Sequence, residues 1–208
     1  MKYQLDESQE NDIPCTALYK PNMDCFSPSI IACFILSDGW NEQALLELKK
    51  KAEADILVGL QTDGNKYESL DIIEGVIRCQ PDEVNDVIEL LDVRSASTII
   101  GIDVVDVKSL FESGNLFQFI QASAIGDSES NLVKVTTHKL VNQLSKAHHT
   151  KGLFIGMESV QSLPIEVFAY IADAVERLLP NIGEDIYYCS SMTDEPNSFH
   201  LKAIYAAE

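Results

Sequence analysis

No apolar run in this sequence is long enough to cross a membrane. A spanning helix needs about 20 consecutive apolar residues, and the longest run, "SIIACFIL" at 29–36, is the length of a strand. Positive charge is scarce: 15 lysines and arginines stand against 33 aspartates and glutamates, a net charge of −18. A nucleic-acid binder needs a basic footprint to displace counterions from phosphates, so nucleic acid is excluded as a partner. An anionic membrane surface repels the chain for the same reason. A protein partner remains, or none. The ten glycines are dispersed. They form neither G-x-G-x-x-G nor G-x-x-x-x-G-K-S/T, the loops whose amides cradle nucleotide phosphates.

Cysteine is present without a pattern. Cys15, Cys25, Cys33, Cys79 and Cys189 are odd in number and contain no C-x-x-C pair. They are expected to be free thiols in a reducing cytoplasm, not a disulfide framework or a zinc site. The opening "MKYQLDESQENDIP" is polar and acidic, unlike a signal peptide. The expected location is cytoplasmic.

The rest reads as an α/β protein. Residues 1–26 carry Pro14 and Pro21, show no period, and predict an irregular arm. "SIIACFILS" and "DILVGLQ" are continuous apolar runs that suit strands buried on both faces. Between them "NEQALLELKKKAEA" predicts a helix, with Asn41 as N-cap and Lys49, Lys50 and Lys51 in its last turn. Together they read as a βαβ crossover in a parallel sheet. In residues 70–91 apolar side chains recur at 70, 73, 76 and 77, then at 84, 87, 88 and 91. That spacing predicts helix on both sides of a break at Pro81. The second half reads β-α-β-α-β-β, a mixed four-stranded sheet with helices on one face. "EDIYYCSSM" and "SFHLKAIYAA", joined by the turn-rich "TDEPN", are expected to form its final hairpin. The two α/β units meet near residue 100.

"GIDVVDVKSLF", residues 101–111, places Asp103 and Asp106 three apart where a helix begins. Such a pair suits a capping box and the helix dipole, with Val104, Val107 and Phe111 as the apolar stripe. Carboxylates can also orient water or serve as a base in phosphoryl transfer. The residues alone leave both roles open. His148 and His149 end a helix, where cations are favoured, and have no neighbouring acids or cysteines in sequence to complete a metal site. His138, on a helix, and His200, on a strand, read as surface or core, and Trp40 as a packing anchor. No Ser-His-Asp or Cys-His spacing emerges. No metal or cofactor is expected.

From about residue 28 onward, the order of these segments resembles FtsZ, the bacterial member of the tubulin/FtsZ superfamily of GTPases. "STIIGIDVVDVKSLFESG" at 97–114 is similar to the family's synergy loop and following helix, with Asp103 and Asp106 on its two acidic positions. Gly101 stands where the family carries asparagine. "ASAIGDSESN", "KGLFIGMES", "SLPIEVFAYIADAVERLL" and "DIYYCSSMTDEPNSFHLKAIYAA" follow in the family's order, although Glu158 and Ser159 replace a usual double glycine. The family's glycine-rich phosphate loop has no counterpart, and its C-terminal partner-binding tail is expected to be missing. The resemblance implies a truncated FtsZ-like fold: an arm at 1–26, a remnant of the nucleotide-binding domain at 27–96, and the C-terminal domain at 97–208. It further implies a non-enzymatic protein of cell division. Gly101, Asp103 and Asp106 would form its docking face, and the two acids would act on another subunit's nucleotide in trans. The expected partner is an FtsZ-type protein or a second copy of the chain. Alternatives are a homo-oligomeric structural or small-ligand binding protein that keeps only the fold, and a divergent GTPase.

Overall fold

Two apolar runs set the parallel half of the structure. This is a computed structural model, described over residues 14–65, 70–92, 98–145, 152–178 and 186–207. Ile31–Ile35 (β2) and Ile56–Gln61 (β3) lie side by side in parallel, with Ile31, Cys33, Ile56 and Val58 fully buried. Between them Glu42–Lys51 (α1) starts where the Asn41 side chain accepts a 2.9 Å bond from the Ala44 amide. It ends on three lysines, the charge that suits a helix C-terminus.

The remaining strands are Thr16–Tyr19 (β1), Gly75–Arg78 (β4), Thr98–Ile100 (β5), Leu116–Ile125 (β6), Leu153–Ser159 (β7), Ile186–Met192 (β8) and Ser198–Ala206 (β9). The remaining helices are Val84–Leu91 (α2), Val104–Glu112 (α3), Glu129–Leu144 (α4) and Ile165–Leu178 (α5). All described strands join one sheet in the order β1-β2-β3-β4-β6-β9-β7-β8-β5. β9 runs antiparallel to both neighbours, and β5 runs antiparallel to β8. Alternation along the strands sends side chains to two faces. On one face α1 covers β1–β3, and α4 and α5 cover β6 to β8. On the other face α2 and α3 share a core with Ile77, Phe117, Phe119, Phe154 and Ile204.

The sheet curls around α2. Thr16 in β1 donates a 2.9 Å bond to the Leu91 carbonyl, while a Cβ added to Gly156 in β7 would lie 2.4 Å from the Leu90 side chain. β1 and β7 are six steps apart, roughly 29 Å in a flat sheet at about 4.8 Å per step. An eight-residue helix is only about 12 Å long. One helical turn can touch both strands only if the sheet wraps it.

Several expectations are corrected. The 1–26 arm is not wholly irregular, since residues 16–19 form β1 and pair with β2. Residues 70–78 are not helix: Gly75–Arg78 is β4, hydrogen-bonded between β3 and β6. β-branched Val76 and Ile77 suit a strand, and at Gly75 a Cβ would meet the Phe111 ring at 2.3 Å. The helical period holds only beyond Pro81, in α2. The expected boundary near residue 97 is no break in the sheet, because Val76 of β4 pairs with Leu116 of β6. The β6-β9-β7-β8 segment is the expected mixed set of four, continuous with the parallel strands and covered by α2 on its second face. β8 and β9 do not form a hairpin. β9 enters between β6 and β7, where Phe199, Leu201, Ala203 and Ile204 are buried from both sides. Among the described residues, no helix is long and apolar enough to cross a membrane.

Candidate interaction surface

The start of α3 is built by its two aspartates. Asp103 is extended and exposed. Its Oδ1 accepts from the Val105 amide at 2.7 Å and from the Asp106 amide at 2.9 Å. Asp106 Oδ2 accepts in return from the Asp103 amide at 2.9 Å. This is a capping box with aspartate in the place usually held by glutamate. It satisfies amides that the first helical turn leaves without partners. Val107, Leu110 and Phe111 then point into the core. The box uses one oxygen of each carboxylate, so capping and an outward role are compatible at this exposed turn.

Gly101, two residues before Asp103, lies in the wall of a cleft of about 310 Å³. Thr98, Ile102, Glu158, Cys189 and Asp194 line the same cleft, and Glu89 and Leu90 of α2 close one side. Asp103 and Asp106 are not part of this lining. Of the three residues singled out in the sequence, the structure brings the two acids together and sets the glycine in a neighbouring wall.

Sequence reasoning missed the charge cluster behind this cleft. Lys202, on β9, has a side chain only 5% exposed. Its Nζ lies 2.8 Å from Asp86 and 3.4 Å from Glu89, both on α2, and 2.7 Å from Glu158 on β7. Burial by itself would lower the ammonium pKa, but the hydrogen bonds and charges of Asp86 and Glu158 outweigh it and push the value up. The available signal was weak: a single lysine in a run of apolar strand residues, and a glutamate where the family carries glycine. Cys189, in the cleft wall, is pushed up to about 12 by burial and then by the charge of Glu158, with Lys202 pulling the other way. A thiol so shifted is inert at neutral pH.

The histidines stay separate. His138 meets Asn142 on α4 at 3.2 Å, and His200 lies 2.7 Å from Glu195. His148 and His149 fall outside the described residues. Trp40 packs edge-on against Phe34, with ring centroids 5.6 Å apart. Among the described residues no group of histidines, cysteines and acids is arranged to hold a metal ion.

In sequence comparisons no protein-family model and no curated protein matches the chain. Solved structures do. FtsZ from M. jannaschii, as a W319Y mutant, superposes with a TM-score of 0.52 at 17% identity, over 86% of this chain and 56% of that one. CetZ from Methanosaeta thermophila superposes with a TM-score of 0.57 at 12% identity, over 88% and 62%. CetZ2 from Haloferax volcanii, in a GTPγS-bound protofilament, gives 0.55 at 10% identity, over 85% and 64%. The fold is tubulin/FtsZ-like. The chain spans less than two thirds of the length of each of these FtsZ and CetZ chains.

Proposed function

We propose that the chain is a non-enzymatic, FtsZ-like interaction protein that docks on the nucleotide face of an FtsZ- or tubulin-type filament subunit. The observation that carries this reading is the exposed turn at the start of α3, where Asp103 and Asp106 sit together as its cap; the likeness of this stretch to the synergy loop is one of sequence. Docked there, their outer oxygens would reach the partner's nucleotide and help orient the attacking water. With no phosphate loop legible in its own sequence, the chain would cap a filament end without extending it.

Co-sedimentation of the purified chain with an FtsZ-type polymer, with GTP present, tests the docking. Absence of binding rejects the reading. Asp106→Asn separates the two roles of the acid, because the amide oxygen still accepts from the Asp103 amide while the charge is lost. The variant is expected to keep its thermal stability and to change the partner's GTPase rate relative to the unaltered chain.

A second reading is self-association. Among the solved structures of similar fold are an FtsZ dimer from M. jannaschii and protofilaments of TubZ from Bacillus thuringiensis. A stable homodimer with the Asp103 turn buried would favour it over filament capping.

A further inference from the structure

β5 closes one edge of the sheet. It pairs with β8 on one side, and among the described residues no strand lies on its other side. An open strand edge carries backbone donors and acceptors ready for another chain, and proteins usually blunt such edges with charge or proline. This edge carries "TII". Ile99 is 41% exposed and Ile100 43%, with Met192 of the neighbouring strand 52% exposed and Val105 just beyond the edge 65% exposed.

The two sides of the edge differ chemically. Thr98 pairs with Ser191, and both line the cleft. A register shift follows, and Ile100 pairs with Ser190 on the opposite face. One side of the edge therefore opens on a cleft walled by Glu89, Glu158 and Asp194, with Met192 in its lining, and the other on apolar Ile100. Behind the cleft one buried ammonium, Lys202, touches three carboxylates.

We infer that the β5 edge takes up an extended segment of a partner protein in which basic and apolar side chains alternate. Strand addition supplies main-chain hydrogen bonds, and alternate side chains then fall on opposite faces. The basic set faces the acidic cleft and the apolar set covers Ile100. Charge decides between occupants. A second copy would bring another −18 against these acids. A basic segment meets the opposite field. The inference does not rest on the filament reading, since it needs neither nucleotide nor polymer.

The test is fluorescence anisotropy of the full chain with a labelled, end-blocked ten-residue peptide alternating lysine and valine. The same peptide with glutamate for lysine is the control. The lysine peptide is expected to bind saturably, at least tenfold tighter than the glutamate peptide, and to weaken as salt is raised. Ile100→Lys and Asp194→Lys, both at exposed positions and checked for an unchanged melting curve, are each expected to weaken binding threefold or more. No saturable binding, equal binding of the two peptides, or indifference to either variant overturns the inference. Sedimentation showing a homodimer that Ile100→Lys abolishes would also overturn it, in favour of a second copy.

Discussion

Replacing Lys202 by methionine keeps an unbranched side chain, one atom shorter, and removes the charge. In the native chain one ammonium holds Asp86 at 2.8 Å and Glu158 at 2.7 Å, and so ties α2 and β7 to β9. Without it two carboxylates face each other across a methyl group. Removing one partner of a buried ion pair costs about 3–5 kcal/mol, because a charge is left without compensation. Asp86 is 30% exposed and Glu158 18%, so both recover some hydration and the cost falls at the lower end. Glu89 is 68% exposed and adds little. The expected loss is about 3 kcal/mol, which in a chain of this size lowers Tm by roughly 6–12 °C. Glu158→Gln alone should cost about 1.5 kcal/mol, because Asp86 still compensates the ammonium. Combined with Lys202→Met it should cost less than the sum, with a coupling of about 1–2 kcal/mol. Urea unfolding of the three variants measures these values. The pH dependence has a definite sign. The folded-state pKa of Lys202 is raised above its ordinary 10.5. Its contribution is therefore fully present below that ordinary value and is lost as pH climbs through the folded one. The gap between the native chain and Lys202→Met should stay level from neutral pH to about pH 10 and close above it. A loss under about 1 kcal/mol, or strict additivity with Glu158→Gln, would refute the reasoning.

Three further perturbations address other parts of the argument. Gly75→Ala places a methyl 2.3 Å from the Phe111 ring; it should cost about 1–3 kcal/mol by overpacking, with Phe111→Leu in the same chain restoring part of it, as read by thermal melts. Of the five cysteines only Cys25 is exposed, and burial pushes Cys79 up to about 12. A thiol reagent at pH 8 should label one thiol rapidly in the folded chain and all of them in urea, and a second fast thiol would contradict the described burial. Asp103→Ala should cost about 0.5–2 kcal/mol through loss of the cap, while Asp103→Asn, whose oxygen still accepts, should cost a few tenths at most.

What was legible in the sequence was set by neighbours in sequence. Asn41 and Asp103 cap helices through amides two or three residues away, so spacing alone revealed both. The continuous apolar runs of β2 and β3 signalled strands buried on both faces because each run is long enough to be one. The failures share the opposite property. "GVIR" became β4 because β3 and β6 hold it on either side and because Gly75 admits a ring from α3, a residue 36 positions away in the chain. β9 left the expected hairpin because nine residue pairs with β6 and seven with β7 outweigh what the short "TDEPN" turn could hold. Lys202 follows the same logic. A strand lysine ordinarily points to water, and only the curl of the sheet around α2 brings Asp86 and Glu89 over it, with Glu158 supplied by the adjacent strand. The cleft inherits its character from that curl. Its acids come from α2, from β7 and from the segment after β8, so no window of sequence contains them together. The aspartate turn could be found by reading; the acidic cleft beside it is a property of the folded sheet.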